Sequence, residues 1–105
     1  MNRVEFTKML AKLIIYAIKR GYSVIVDYVF RSAEEQNRLF QRGKSKCDGY
    51  KVKSKHQYGL AADVYVVKDD GSLDFSVDPY KVLHQYWESI GGKPMIKWDL
   101  GHFEV

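Results

Sequence analysis

The stretch Ser54-Lys55-His56-Gln57-Tyr58-Gly59-Leu60-Ala61-Ala62-Asp63 changes character halfway along, from polar and loop-like to apolar and strand-like. An imidazole stands on one side of that change and a carboxylate on the other. Both groups are good metal ligands, and the glycine and alanines between them let backbone approach backbone. From Leu60 to Val67 the residues suit a strand, closed by a turn at Asp69-Asp70-Gly71 with a short return at Ser72 to Phe75.

Further downstream, Asp78-Pro79 opens a helix that runs through Ile90, since proline suits the first helical position, and Gly91-Gly92 ends it. His102-Phe103-Glu104-Val105 suits a last short strand. Upstream, residues 43–56 are polar and lysine-rich and read as a long surface loop, a kind that is often functional. Ser32 and Glu35 before it have capping-box spacing, which predicts a helix with Leu39 and Phe40 as apolar contacts and Gly43 as its stop. Residues 23–30 are β-branched and aromatic and read as a mostly buried strand, with Arg31 at its exit. Phe6, Leu10, Leu13, Ile14, Ala17 and Ile18 recur at helical steps over residues 6–19, and Gly21 ends that helix. The order predicts an α+β fold, a small antiparallel sheet flanked by helices.

At 105 residues, 46% hydrophobic and 29% charged, the chain reads as one globular domain over residues 1–105. Its single cysteine, Cys47, excludes an intrachain disulfide framework. Residues 1–12 lack a signal-peptide pattern, because Glu5, Lys8 and Lys12 interrupt the apolar stretch, and no segment is apolar enough to insert in a membrane. Synthesis in the cytoplasm is the expectation. The net charge of +4 favours polyanions without choosing among them. Arg42, Lys44, Lys46, Lys51, Lys53 and Lys55 form the one local cluster, which reads as a solvated loop rather than a nucleic-acid surface. Its functional alternative is to draw an anionic polymer towards the histidine that follows.

Trp98-Asp99-Leu100-Gly101-His102-Phe103-Glu104 supplies a third ligand and a spare carboxylate. A hydrolytic zinc site needs three protein ligands and an open fourth position, and His56, Asp63 and His102 fit that need. It also needs a group that takes a proton from water and returns it to the leaving amine, for which Asp99 is the candidate. A cation should meet the charge that develops on the carbonyl oxygen, and Arg31 is the candidate.

The pattern Ser-x-His-x-x-Gly-x-Ala-x-Asp over residues 54–63, with Asp-x-x-His-Phe-Glu over 99–104, resembles the D-alanyl-D-alanine carboxypeptidase and L-alanyl-D-glutamate endopeptidase family of zinc peptidases. The segment Phe30-Arg31-Ser32-Ala33-Glu34-Glu35-Gln36, followed by Leu39 and Gly43, is similar to that family's arginine-bearing segment, in the same order along the chain. The resemblance implies a hedgehog/DD-peptidase-like fold in which His56, Asp63 and His102 bind zinc, Asp99 is general base and acid, and Arg31 steadies the transition state. Ser54, Gln36 and Glu104 would support the site. The implied activity is hydrolysis of the peptidoglycan stem peptide between L-Ala and D-Glu, as in phage endolysins, by a monomer that reaches the cell wall through a holin-like route. D-Ala-D-Ala carboxypeptidase or dipeptidase action, or an inactive wall-binding relative, are the alternatives. Val29 stands where many relatives have glycine, and residues 91–97 lack the tryptophan-glycine-glycine-aspartate run common there; both departures bear on substrate choice.

Other residues read more plainly. His84 reads as a surface or boundary histidine, Cys47 as an incidental thiol, and Trp87, Trp98 and Phe103 as core or pocket-wall aromatics. Without the resemblance, Arg31 reads equally as an exposed partner of Glu34 or Glu35. Asp27 and Tyr28 could also face a cleft.

Overall fold

The computed structural model describes residues 1–105: helix α1 (Arg3–Lys19), strand β1 (Ser23–Val26), helix α2 (Ala33–Gln41), a 3₁₀ turn (Lys55–Tyr58), strands β2 (Ala61–Val67) and β3 (Leu73–Asp74), helix α3 (Val77–Ser89) and strand β4 (His102–Glu104). The fold is α+β, and every strand pairing is antiparallel. β2 lies at the centre. β1 pairs with its second half, β3 with its last two residues, and β4 with its first three, so that Asp63 stands opposite His102.

The period of two along β2 and β4 separates packing from chemistry. Ala62, Val64, Val66 and Phe103 turn to the core, while Asp63, Tyr65, His102 and Glu104 turn to a cleft on the other face. α1 and α3 close the core. Asn2 caps α1 by accepting from the Glu5 amide at 2.8 Å, and the helix then buries Phe6, Met9, Leu13 and Ala17 along one stripe. Phe6 and Phe103 meet Trp87 of α3 edge-on at 5.8 and 5.7 Å, and Tyr16 stacks on Tyr86 at 4.1 Å. Met9 is part of that stripe, whereas Ile18 is exposed. The apolar spacing of the sequence thus locates the helix but marks its face one position off.

β1 differs from expectation in length and in burial. It ends at Val26 instead of running to Phe30, and Ile25 and Val26 are 47% and 43% exposed. β1 is an edge strand whose contact with the core runs through Val24 and the preceding Tyr22. The residues after it serve the cleft instead of the ladder, as described below. α3 starts at Val77, and Pro79 sits in its first turn, where a missing amide costs no helical hydrogen bond. No helix is long and apolar enough to cross a membrane.

His84 is no surface residue. It is 2% exposed, stacks on Phe103 with ring centroids 3.9 Å apart, and its Nε2 lies 2.8 Å from the Leu100 carbonyl. Its neighbours come from the end of the chain, so nothing local in sequence announces them. A shallow hollow of about 260 Å³ between α3 and residues 95–100 has lysine and apolar lining and lies apart from the cleft histidines.

Candidate metal centre

Three local devices bring the histidines and Asp63 together. Ser54 accepts from the His56 amide at 3.3 Å while Gln57 Oε1 accepts from the Ser54 amide at 3.0 Å, a reciprocal cap that turns residues 55–58 into a 3₁₀ turn. Gly59 ends that turn at φ 68°, in the left-handed region that glycine enters without strain. The Arg31 amide donates to the His56 carbonyl at 3.0 Å, and the Asp63 amide to the Tyr28 carbonyl at 2.8 Å, so residues 27–31 bind the turn and β2 at once. At the far end, the His102 amide donates to the Asp99 carbonyl at 3.1 Å, and a side chain on Gly101 would meet the Tyr65 ring at 2.7 Å and the Val64 carbonyl at 2.8 Å. Only glycine lets β4 settle close enough to β2 for His102 to face Asp63.

His56, Asp63 and His102 are buried, and their ligand atoms all lie within 4.8 Å of one another. Asp63 Oδ1 is 3.2 Å from His56 Nε2 and 3.4 Å from His102 Nδ1. The other nitrogen of each ring is engaged: His56 Nδ1 lies 3.0 Å from the Val29 carbonyl, and His102 Nε2 lies 3.1 Å from Glu104 Oε1. A carbonyl and a carboxylate can only accept, so the outer nitrogens carry protons in either state of the rings: in a charged ring the inner nitrogen also donates to Asp63, and in a neutral ring it presents a lone pair. With both rings neutral, three acceptors converge with no donor among them, and a cation, taking the place of those inner protons, is what such a set fits. Ligand atoms around a tetrahedral zinc at about 2.0–2.1 Å stand roughly 3.3 Å apart, close to the two separations that Asp63 makes.

The electrostatics agree with this geometry. Burial works to raise the Asp63 pKa, yet hydrogen bonds from His102 and His56 hold it down to about 2. Burial opposes charge on His102 as well, and contact with Asp63 still raises its pKa above the ordinary histidine value. Asp99 is half exposed, with Oδ2 4.0 Å from His102 Nδ1, and its pKa is raised by burial first and by the Asp63 charge second.

Arg31 is not a surface partner of Glu34 or Glu35. It is buried, with Nη1 donating to Gln36 Oε1 at 2.7 Å, Nη2 reaching Asp63 Oδ2 at 3.3 Å, and the guanidinium lying over the Tyr28 ring at 4.3 Å. Its Nε is buried without a partner. Gln36 is fully buried and spends its amide on Ser45 Oγ and the Cys47 carbonyl. All the sequence candidates therefore gather at one cleft of about 910 Å³, Gln36 standing behind Arg31. Asp27 and Tyr28 line it, and so does Trp98, a wall residue 75% exposed, whereas Trp87 and Phe103 are core. Two functional groups escape a reading of the sequence. The Val29 carbonyl has no side-chain signature; the Ser54–Gln57 cap does have one, the same three-residue offset as Ser32 and Glu35, and it goes unread because the segment around it reads as loop.

No family model matches the chain. Over 67 residues it is 33% identical to the peptidoglycan L-alanyl-D-glutamate endopeptidase CwlK of Bacillus subtilis (strain 168), a match covering 59% of this chain and 40% of that protein, so the chain spans less than half of its curated relative. The crystal structure of the vancomycin resistance D,D-pentapeptidase VanY from a VanB-type cassette, an E175A mutant in complex with Zn(II), has the same fold with a TM-score of 0.74 at 17% identity, over 97% of this chain and 71% of that one. The L-Ala D-Glu endopeptidase ChiX of Serratia marcescens matches with a TM-score of 0.68 at 18% identity, over 96% and 77%. The L,D-carboxypeptidase DacB of Streptococcus pneumonia gives 0.68 at 24% identity, over 95% and 64%. The chain thus shares the fold of these three peptidase structures and, over 67 residues, is similar in sequence to a peptidoglycan L-alanyl-D-glutamate endopeptidase.

Proposed function

We propose that residues 1–105 form a single, monomeric catalytic domain that hydrolyses the peptidoglycan stem peptide, cutting between L-Ala and D-Glu, with His56, Asp63 and His102 as zinc ligands. The observation that carries the reading is the convergence of His56 Nε2, Asp63 Oδ1 and His102 Nδ1 beside a free carboxylate in an open cleft. The named activity of CwlK, to which the chain is 33% identical over 67 residues, supports the choice of bond. A zinc ion held by these three residues would supply Lewis acidity, which lowers the pKa of water to roughly 7 and polarises a carbonyl.

Asp99 takes the proton from the attacking water and returns it to the departing amine. Its raised pKa suits both halves of that task, because a carboxyl nearer neutrality gives back a proton more readily. Arg31 meets the charge on the tetrahedral oxygen and, through Asp63 Oδ2, fixes which oxygen of that carboxylate faces the histidines. Glu104 and the Val29 carbonyl hold the two imidazoles in the tautomers that ligation needs. Ser54 shapes the turn under His56, and Gln36 steadies Arg31.

Digesting purified muropeptides and identifying the new amino terminus by mass spectrometry tests the bond. A terminal D-Glu is expected; loss of D-Ala alone would replace the endopeptidase with a carboxypeptidase. Asp99→Asn separates an enzyme from a wall-binding relative. It should retain zinc and lose turnover by about 10²- to 10⁴-fold, and wall lysis that is indifferent to the change and to chelator would refute catalysis by this site.

A further inference from the structure

Tyr28 stands just past the end of β1 and is tied down at both ends. Its carbonyl accepts from the Asp63 amide at 2.8 Å, which fixes its backbone to β2. Its phenol donates to Glu35 Oε1 at 2.9 Å, in the first turn of α2, where Arg38 braces Glu35 with hydrogen bonds of 2.6 and 3.0 Å. The Ser32 hydroxyl accepts from the Glu35 amide at 3.1 Å, so the start of the helix holds that acid in place. A tyrosine anchored in this way presents its ring at a set angle.

The face of that ring meets Arg31, whose guanidinium carbon lies 4.3 Å from the ring centroid. Nη1 and Nη2 of Arg31 are held by Gln36 and Asp63, while the buried Nε has no partner. Hydrogen bonds at the two outer nitrogens fix where the rim of the group points, yet leave its plane free to tip about the line that joins them. Contact against the flat face opposes that tipping, and the Tyr28 ring supplies it.

We infer that Tyr28 is a positioning residue for Arg31, its ring closing one face of the guanidinium and fixing the angle at which that group meets the tetrahedral oxygen. The inference rests on the proposed peptidase reading for what Arg31 does, and it gives a task to a cleft residue which that reading leaves without one.

Two substitutions separate the ring from its tether: Tyr28→Leu removes the face, and Tyr28→Phe keeps it and gives up only the bond to Glu35. On purified muropeptides, kcat should fall about 3- to 30-fold in Tyr28→Leu with KM little changed, and Tyr28→Phe should stay within about twofold of the unaltered protein. Zinc affinity should be the same in all three. Proton–nitrogen NMR of the arginine side chains reads the clamp without any turnover, since a held guanidinium gives separate Nη signals and a free one an averaged signal. Signals that vanish in Arg31→Met identify the residue; they should be separate in the unaltered protein and in Tyr28→Phe, and averaged in Tyr28→Leu. An unchanged kcat in Tyr28→Leu, a loss as large in Tyr28→Phe, a parallel fall in zinc affinity, or Nη signals indifferent to the ring each overturn the inference. A clamp seen by NMR in a protein that cleaves no muropeptide would sink the peptidase reading and leave Tyr28 holding Arg31; cleavage indifferent to Tyr28 does the reverse.

Discussion

A carboxyl buried as Asp63 is would ordinarily keep its proton, and here two imidazoles hold its pKa near 2 instead. The anion is thus prepared before any cation arrives. Glu104 has the complementary task of keeping the proton of His102 on the outer nitrogen. Glu104→Ala should therefore weaken zinc binding by about 10- to 100-fold, measured by competition with a chromophoric chelator; unchanged affinity would deny it that part. His84 makes a prediction of a different kind. Burial depresses its pKa, against the pull of the Leu100 carbonyl, so the unfolded chain takes up a proton near pH 6.5 that the folded chain refuses. The unfolded state then binds more protons, and the stability present above pH 6.5 is lost as pH falls towards the folded value. In chelator, urea midpoints at neutral and mildly acid pH should diverge more for the unaltered protein than for His84→Gln, and equal slopes would reject the idea. The sequence announced the convergence of His56, Asp63 and His102 because their types and spacing are themselves the signal. It could not announce His84, whose partners Leu100 and Phe103 join it only after α3 and β4 have docked.

Among the elements, β2 was legible to within one residue because its apolar run is bounded by glycine on one side and a turn on the other. β1 was not. A β-branched run reads the same whether it fills the middle of a sheet or its rim, and only the pairing of the finished sheet decides. Past Val26, the Tyr28 and Val29 carbonyls go to Asp63 and His56, a use of backbone that side chains do not encode. The approach of β4 to β2 gives the element-scale prediction. Gly101→Ala places a methyl against a ring and a backbone carbonyl, both nearer than a real Cβ contact allows, and the carbonyl belongs to the central strand. A cost of about 1–3 kcal/mol is expected in urea unfolding, together with weaker zinc binding because His102 moves with its strand. Loss of stability with zinc affinity intact would show that the two strands tolerate separation.

Over the whole molecule, folding brings residues 27–31, 54–63 and 99–104 around the proposed metal site, and an ion bound there would in turn hold them together. Zinc in hundredfold excess over its dissociation constant should stabilise the fold by about 2.7 kcal/mol, which for a domain of this size raises Tm by roughly 10 °C or more. Chelator should reverse the gain, and His56→Ala should show none; a melting temperature indifferent to zinc in the unaltered protein would contradict the proposed ligand set. The division of β2 and β4 into a packing face and a chemical face has an evolutionary corollary. Odd and even positions of these strands answer to separate selection, so an ancestor could trade one specificity for another at the open face while its neighbours, one residue along, stayed constrained by volume alone. A single-residue insertion in β2 has no such freedom, since it would present Asp63 to the interior and a valine to the water.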